Sequence, residues 1–122
     1  MDWLKALPLK AWRWGLLAFT ALLFTVTHIP PDGLPRDPFP LFDKTVHFGA
    51  YAVWGLLAGM GGGDRRRWLA LGLAFGAFDE LTQPYVGRHA DWFDWLADAA
   101  GVGAGLWFSV YWRRYAGRNK HD

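Results

Sequence analysis

Four apolar segments, separated by short polar or glycine-rich stretches, set the pattern along this chain. Their lengths and their largely charge-free interiors predict helices over about residues 11–29, 42–60, 68–83 and 91–112. The first segment carries no formal charge after Arg13, and it is long enough to cross a hydrocarbon core of about 30 Å. We therefore predict an all-α fold, an integral membrane bundle of four transmembrane helices with short loops.

Prolines and glycines mark where these helices end. Pro30 and Pro31 stop the first helix, because proline cannot continue the backbone hydrogen-bond ladder. Residues 30–42 hold five of the seven prolines, which indicates an irregular, stiff loop. The triplet Gly61–Gly63 ends the second helix, and Pro84 ends the third.

The start of the chain also resembles a signal peptide, because basic residues precede the first apolar run. The run from Trp14 to Ile29 is long, however, and two prolines follow it without a small-residue cleavage pattern. We therefore predict a retained first helix.

The composition agrees with a membrane protein better than with a soluble one. Hydrophobic residues make up 52 % of the chain and aromatic residues 18 %, with nine Trp. The mean hydropathy is only +0.02, because the charges that lower it sit in short blocks. The 122 residues predict a single domain over 1–122, and the absence of Cys excludes disulfides, cysteine metal sites and a thiol nucleophile.

The charges are sorted between the two sides that four spans would define. Ten of the 13 bases fall on the side of the termini, and eight of the 11 acids fall on the other side. The positive-inside rule then predicts a multi-pass protein with cytoplasmic N- and C-termini. This sorting explains the net charge of +2 better than nucleic-acid binding does, so no nucleic-acid partner is expected. The three bases on the outer side are Arg36, Lys44 and Arg88.

Small residues and acidic residues share faces of the predicted helices. Gly-x3-Gly pairs let helices approach closely in lipid. In the third and fourth helices these glycines lie on the same face as the acids, at 100° per residue. This pattern predicts a stripe that faces the inside of a bundle. The pairs are Gly55/Gly59, Gly72/Gly76 and Gly101/Gly105. In the second helix, Asp43, His47 and Tyr51 follow one another at intervals of four residues and also form one stripe.

The polar residues of the last three helices all lie near the outer helix ends, which predicts a polar pocket at the extracytoplasmic end of the bundle. Ionisable groups within membrane helices are functional candidates by default. The candidates for ligand binding are Asp43, Lys44, Tyr51, Asp79, Gln83, Arg88 and Asp98. The candidates for catalysis are His47, Glu80, Asp91 and Asp94.

These residues form three strings in order along the chain. They are Asp43-Lys44-x-x-His47-Phe48-x-x-Tyr51, Asp79-Glu80-x-x-Gln83, and Gly87-Arg88-x-x-Asp91-x-x-Asp94-x-x-x-Asp98-x-x-Gly101. Together they resemble the VanZ-like family of small bacterial membrane proteins over about residues 43–105. The resemblance implies a place in the bacterial cell (inner) membrane. It also implies a link to the cell envelope, since the founding member is linked to low-level teicoplanin resistance. Family members often carry Asn where this chain has Asp98.

Several functions fit such a pocket. One is binding of an envelope ligand, namely a lipid headgroup, a lipid-linked cell-wall precursor or a glycopeptide, with membrane lipids around the bundle. An arginine suits a phosphate or carboxylate, because its guanidinium donates two parallel hydrogen bonds. Aromatic residues would form the rim of the pocket at the membrane interface. They are Phe39, Phe42, Tyr85, Trp92 and Trp95.

A second reading is an intramembrane enzyme that acts on a lipid-linked or envelope substrate. His47 would be its general acid or base, and Glu80, Asp91 or Asp94 its partner. The sequence offers no obvious nucleophile, because Ser109 lies near the opposite end.

Three further readings stay open. The charges could form a purely structural ionic network, since buried charges need partners whatever the function. In such a network Arg88 would pair with Glu80, Asp91 or Asp94, and Lys44 would pair with Asp43 or Asp79. The sequence supports proton-coupled transport less well, because no polar residues continue the path into the cytoplasmic half of the last three helices. No cofactor is predicted, apart from a hard divalent cation that could bind at His47, Glu80, Asp91 and Asp94. The sequence does not set the oligomeric state.

Overall fold

Helices account for most of the described chain. The structure is a computed structural model and describes residues 2–118, which contain no β-strand. The helices are α1 (Asp2–Ala6), α2 (Leu9–Thr27), α3 (Phe42–Met60), α4 (Arg65–Thr82) and α5 (Trp92–Arg118). Short 3-10 turns cover Pro31–Gly33 and Gln83–Val86. The expected all-α fold is confirmed, with α2 to α5 as the four long helices.

Local signals explain where the helices differ from the expected bounds. α2 begins at Leu9 because Pro8, in extended conformation, immediately precedes it. α4 begins three residues early, since the Asp64 carboxylate caps it by accepting a hydrogen bond from the backbone N–H of Arg66 at 2.9 Å. Gln83 belongs to the following 3-10 turn rather than to α4. α5 continues beyond residue 112 to Arg118.

The closest helix pair is α3 with α5, and glycines make this approach possible. A Cβ added at Gly101 would collide with the carbonyl oxygen of Phe48. A Cβ at Gly105 would collide with that of Ala52 in the same way. The glycines on the predicted inward stripe are therefore points of backbone contact between the two helices.

α2 is integrated into the bundle through α3 and α4. The indole N–H of Trp54 in α3 donates a hydrogen bond to the Thr20 hydroxyl at 2.9 Å. The Phe24 ring of α2 stacks on the Phe78 ring of α4, with centroids 5.8 Å apart. The apolar core joins residues of α2, α3 and α5. Its buried members are Leu16, Leu23, Tyr51, Trp54, Ala58, Val102 and Leu106.

The two ends of the bundle differ in charge. At one end, Arg13 donates a hydrogen bond to the Gly61 carbonyl at 2.9 Å, and Arg113 donates one to the Met60 carbonyl at 2.5 Å. We call this the basic end, because it also carries Arg65, Arg66 and Arg67. The opposite, acidic end gathers the end of α2, the start of α3, the end of α4 and the start of α5. Its ionisable residues include His28, Asp43, Lys44, His47, Asp79, Glu80, Arg88, Asp91, Asp94 and Asp98.

By length and hydropathy, only α2 among the helices of residues 2–118 is suited to crossing a membrane. It has 19 residues and a mean hydropathy of 1.2. Charged residues at the ends of α4 and α5 lower the average of those helices. The four transmembrane spans therefore stay a prediction.

Candidate functional site

His47 is the centre of the acidic end. It lies one turn into α3 with its side chain buried, and both ring nitrogens face carboxylates. On one side, Nδ1 is 2.7 Å from Asp98 Oδ1 and 3.6 Å from Glu80 Oε1. On the other side, Nε2 is 3.7 Å from Asp43 Oδ1 and 3.8 Å from Asp94 Oδ2. The imidazole therefore joins acids from α3, α4 and α5. We call His47 and these four acids the His47 cluster.

Asp79 forms a second buried centre, beside the His47 cluster. Its carboxylate is fully buried and accepts a hydrogen bond from the Thr27 hydroxyl at 2.5 Å. The Tyr51 hydroxyl donates to its other oxygen at 3.4 Å. Nδ1 of His28 lies 3.6 Å from Asp79, and Nε2 of the same ring lies 2.7 Å from the Thr82 hydroxyl. Asp79 thus links α4 to α2 and α3.

Lys44 lies at the partly exposed edge of the acidic end, which we call the rim. It pairs with Asp94 of α5 and with Asp91 in the turn before that helix. Its ammonium donates hydrogen bonds to Asp91 at 3.0 Å and to Asp94 at 3.1 Å. Asp91 precedes α5, and its carboxylate also accepts a hydrogen bond from the N–H of Phe93 at 2.8 Å. The Lys44 ammonium, followed by the Phe93 N–H, lowers the pKa of Asp91 below its ordinary value of 3.8. Asp91 is therefore an ionised rim residue.

Arg88 follows a turn that directs it toward α2. Gly87 adopts φ +81°, a conformation that glycine accepts readily, and ends the 3-10 turn after α4. The Arg88 guanidinium donates a hydrogen bond to the backbone carbonyl of Thr27 at 2.9 Å. Within residues 2–118, no acidic side chain lies within ion-pair distance of it. The expected pairing of Arg88 with Glu80, Asp91 or Asp94 is thus absent from the described part of the chain.

Three buried polar atoms of this end have no hydrogen-bond partner within the described chain. They are Glu80 Oε1, Asp98 Oδ2 and the side-chain nitrogen of Gln83. Buried polar groups are almost always satisfied, because leaving one unpaired costs about 1–3 kcal/mol. The two unpaired carboxylate oxygens of the His47 cluster can each accept a further hydrogen bond or a cation.

Two cavities flank the acidic end. One, of about 230 Å³, lies between α2, the proline-rich loop and α3. Arg88, His47, Tyr51 and Asp43 line it, together with apolar side chains such as Phe42. The other, of about 160 Å³, lies between α4 and α5. It is lined by Ala77, Glu80, Leu81, Ala90, Asp91, Trp92 and Trp95. The His47 and Glu80 side chains therefore stand between the two cavities.

The candidates chosen from the sequence separate into distinct groups in space. Five of them form the His47 cluster, namely Asp43, His47, Glu80, Asp94 and Asp98. Tyr51 and Asp79 lie beside it, and Gln83 is buried nearby. Lys44 and Asp91 lie at the rim, and Arg88 lies at the larger cavity. Lys44 pairs with Asp91 and Asp94, whereas the sequence suggested Asp43 or Asp79.

Sequence reasoning did not single out two residues of the site, Thr27 and His28. Both lie at the end of α2 and reach across to α4, where Thr27 bonds Asp79 and His28 bonds Thr82. A signal was present, because these are polar residues at the acidic end of an otherwise apolar helix. Their partners lie more than 50 residues away in the sequence.

Chemically, the cluster can hold a proton or a cation. A buried imidazole with carboxylates at both nitrogens can accept a proton at one and donate at the other. The same donor atoms are those that divalent metal ions bind. Ser109 is buried far from this site, with its hydroxyl bonded to the Leu106 carbonyl at 2.6 Å.

The fold and the site define a class of small all-α protein, with a four-helix bundle that buries a polar, acidic network at one end. The chain belongs to the VanZ/LLP1 family, whose profile it matches over residues 6–113. This match confirms the resemblance read from the three sequence strings. No curated protein and no solved structure matches the chain.

Proposed function

We propose that this VanZ/LLP1 protein is a four-span membrane protein that binds an anionic envelope ligand at its acidic end. The ligand is a lipid headgroup, a lipid-linked cell-wall precursor or a glycopeptide. In this proposal the basic end and both termini face the cytoplasm, and the acidic end opens to the outside.

The surface of the bundle supports four spans. Large apolar side chains are exposed in the middle of every long helix, where a water-soluble bundle would carry polar groups. Examples are Leu22 in α2, Val53 in α3, Leu71 in α4 and Trp107 in α5, which is 71 % exposed. The charges that lower the hydropathy of α4 and α5 are partly internal, since Asp79, Glu80, Asp94 and Asp98 are buried. Lipid would therefore meet an apolar surface on each helix.

The observation that carries ligand binding is the cavity of about 230 Å³ with Arg88 in its wall. The guanidinium uses one donor on the Thr27 carbonyl and has no acidic partner among the described residues. A cationic fork beside apolar walls suits a phosphate or carboxylate attached to an apolar group. Asp37 and Asp43 also line the cavity, so the anionic group of the ligand would lie near Arg88 and away from them. The volume admits a headgroup rather than a whole lipid.

Ligand-induced thermal stabilisation tests this proposal on the purified full chain in detergent. Phosphatidylglycerol, a polyprenyl-diphosphate precursor and teicoplanin are each added at increasing concentration. We expect at least one to raise the Tm of the wild type and to lose this effect with Arg88→Gln. Arg36→Gln, which changes an exposed base of the proline-rich loop, is the matched control and should keep the shift.

Two results would count against binding at Arg88. One is the absence of any shift with all three ligands. The other is an equal shift for wild type and Arg88→Gln. Because Arg88 also bonds Thr27, Arg88→Lys serves as a second variant that keeps the charge and should keep part of the shift. Release of a chemically altered ligand, abolished by His47→Ala, would favour an enzyme.

The link to antibiotic resistance is tested in cells. We propose that expression of the chain in a teicoplanin-susceptible bacterium raises the minimal inhibitory concentration of teicoplanin. Arg88→Gln should lower this effect and Arg36→Gln should not, with equal membrane levels of all three proteins. If cells that express the wild type have the same inhibitory concentration as cells without it, the protein does not confer teicoplanin resistance.

A further inference from the structure

We propose that His47, Glu80 and Asp98 form a binding site for one divalent metal ion, of the kind that accepts imidazole and carboxylate ligands together. Zn²⁺ and Mn²⁺ fit this donor set better than Mg²⁺ or Ca²⁺, which prefer oxygen ligands alone. The site does not depend on an envelope ligand, so it stands or falls separately from the function proposed above.

The geometry of the donor atoms carries this inference. One donor atom from each of the three residues lies within 4.8 Å of the others, and all three residues are buried. Glu80 Oε1 is 3.6 Å from His47 Nδ1, which is too long for a hydrogen bond. In a tetrahedral zinc site with bonds of about 2.1 Å, neighbouring ligand atoms lie about 3.4 Å apart. The Glu80–His47 spacing matches that of two ligands of one ion.

The unpaired oxygen of Glu80 is the second, independent observation. Glu80 is only 5 % exposed, and its Oε1 has no hydrogen-bond partner although it faces the His47 ring. Its other oxygen accepts a hydrogen bond from the backbone N–H of Asp91 at 3.2 Å. This hydrogen bond holds the carboxylate in its orientation. A metal ion would satisfy Oε1 and would replace the hydrogen bond between His47 Nδ1 and Asp98 Oδ1, now 2.7 Å long.

The charge of the acidic end also calls for a cation. Lys44 pairs with Asp91 and Asp94, and Arg88 pairs with no described acid. Glu80 and Asp98 are therefore left with His47 as their nearest source of positive charge. Buried carboxylates without a countercharge are costly, and a divalent ion supplies two positive charges at that point.

The other nitrogen of His47 completes the arrangement. Nε2 points away from the proposed ion and toward Asp43 at 3.7 Å and Asp94 at 3.8 Å. Metal-bound histidines usually direct their second nitrogen to a carboxylate. Asp43 and Asp94 are too far from Nε2 for a hydrogen bond, but both carboxylates lie on that side of the ring. Asp91, a candidate ligand from the sequence, instead bonds Lys44 at the rim.

Metal counting on the purified full chain tests the site without any envelope ligand. The protein is stripped with a chelator and dialysed to equilibrium against ZnCl₂ or MnCl₂, and metal per chain is measured by mass spectrometry. We expect about one ion per wild-type chain, because the second group of possible ligands, Asp43, His47 and Asp94, shares His47 and has Asp94 already paired with Lys44. Glu80→Gln and Asp98→Asn should each weaken binding by at least about tenfold, since even indirect changes at metal sites have effects of this size.

Two matched variants serve as controls. Asp32→Asn removes an exposed acid of the proline-rich loop at the same end, outside the proposed site, and His89→Gln removes an exposed histidine that could bind zinc adventitiously. Both should bind like the wild type. The proposal is overturned if the wild type binds no stoichiometric ion, if Glu80→Gln and Asp98→Asn bind as well as the wild type, or if Asp32→Asn weakens binding as much as Glu80→Gln does.

Discussion

Asp79 illustrates at the residue scale how this bundle keeps a carboxylate away from water. The side chain is fully buried, and its closest donor is the Thr27 hydroxyl at 2.5 Å. That donor belongs to α2. The spacing of residues within α4 does not indicate that Asp79 has a partner there. A fully buried acid is stable only if such donors are present.

Removing this donor should therefore destabilise the protein. We expect Thr27→Val to lower the free energy of unfolding by about 1–3 kcal/mol, because the Asp79 oxygen loses its closest hydrogen bond. The measurement is chemical denaturation in detergent. Thr25→Val is the control, since Thr25 is exposed in the same helix and bonds only the Ala21 carbonyl. Equal losses for both variants would show that the contact with Asp79 contributes nothing.

The pair of Lys44 and Asp91 gives a pH-dependent prediction. Lys44 lowers the pKa of Asp91 in the folded chain, so the pair stabilises the fold fully above the ordinary pKa of 3.8 that Asp91 has in the unfolded chain. This contribution is lost as the pH falls through the lower folded pKa. We expect Lys44→Met to raise the pKa of Asp91 back toward 3.8, as followed by NMR of the carboxyl carbon.

Lys10→Met is the control for this titration, because Lys10 lies in the first turn of α2, far from the acidic end. It should leave the pKa of Asp91 unchanged. The wild type should also be more stable than Asp91→Asn at pH 7, and this difference should vanish at pH values below the Asp91 pKa. A difference that persists unchanged in acid would contradict the assigned role of the pair.

At the scale of elements, the packing of α3 on α5 depends on small residues at defined positions. Gly105 touches the Ala52 carbonyl, whereas a Cβ at Gly103 would meet nothing within 4 Å. Both glycines lie in α5, two residues apart. They therefore separate the effect of helix packing from that of helix propensity.

We expect Gly105→Ala to destabilise the bundle by about 1–3 kcal/mol, because the added methyl forces α3 and α5 apart. Gly103→Ala should be neutral or stabilising by up to about 1 kcal/mol, since alanine favours the helix and the space is open. Thermal unfolding in detergent measures both. Gly105→Ala as stable as Gly103→Ala would mean that the two helices do not pack as closely as described.

At the scale of the whole molecule, the segregation of charge predicts an orientation in the membrane. Arg13, Arg113 and the residues around Gly61 meet at the basic end, and the acids meet at the other. The positive-inside rule places the basic end in the cytoplasm. The chain contains no Cys, so single cysteines can be introduced without other changes.

We expect Ala90→Cys to react with a thiol reagent that cannot cross the cell membrane. The reagent is added to intact cells under conditions in which it reaches the outer surface of that membrane. Ala6→Cys should react only after the membrane is made permeable. Both positions are exposed alanines, one at each end of the bundle. Labelling of Ala6→Cys but not Ala90→Cys in intact cells would reverse the topology, and equal labelling of both would contradict a membrane-spanning bundle.

The family strings show how far sequence reasoning reaches at the site. Helical spacing put Asp94 and Asp98 on one face of α5, and Asp43 and His47 on one face of α3, and the structure brings these faces together. Helical spacing did not indicate that Lys44 would pair with Asp91 rather than Asp79. Nor did it indicate that Arg88 would donate a hydrogen bond to a backbone carbonyl. Those choices depend on the rotation and depth of each helix, which intrahelical spacing does not encode.

The sequence by itself determined the four long helices, their ends near prolines and glycines, the glycine stripe, the sorting of charge and the family. These follow from local backbone preferences and from periodicity within a single helix. Only the tertiary structure decided which donor satisfies which buried acid: Thr27 for Asp79, and His47 for Asp98. Each of these contacts joins residues about 50 positions apart, so it exists only once helix packing has fixed the depth and rotation of both helices.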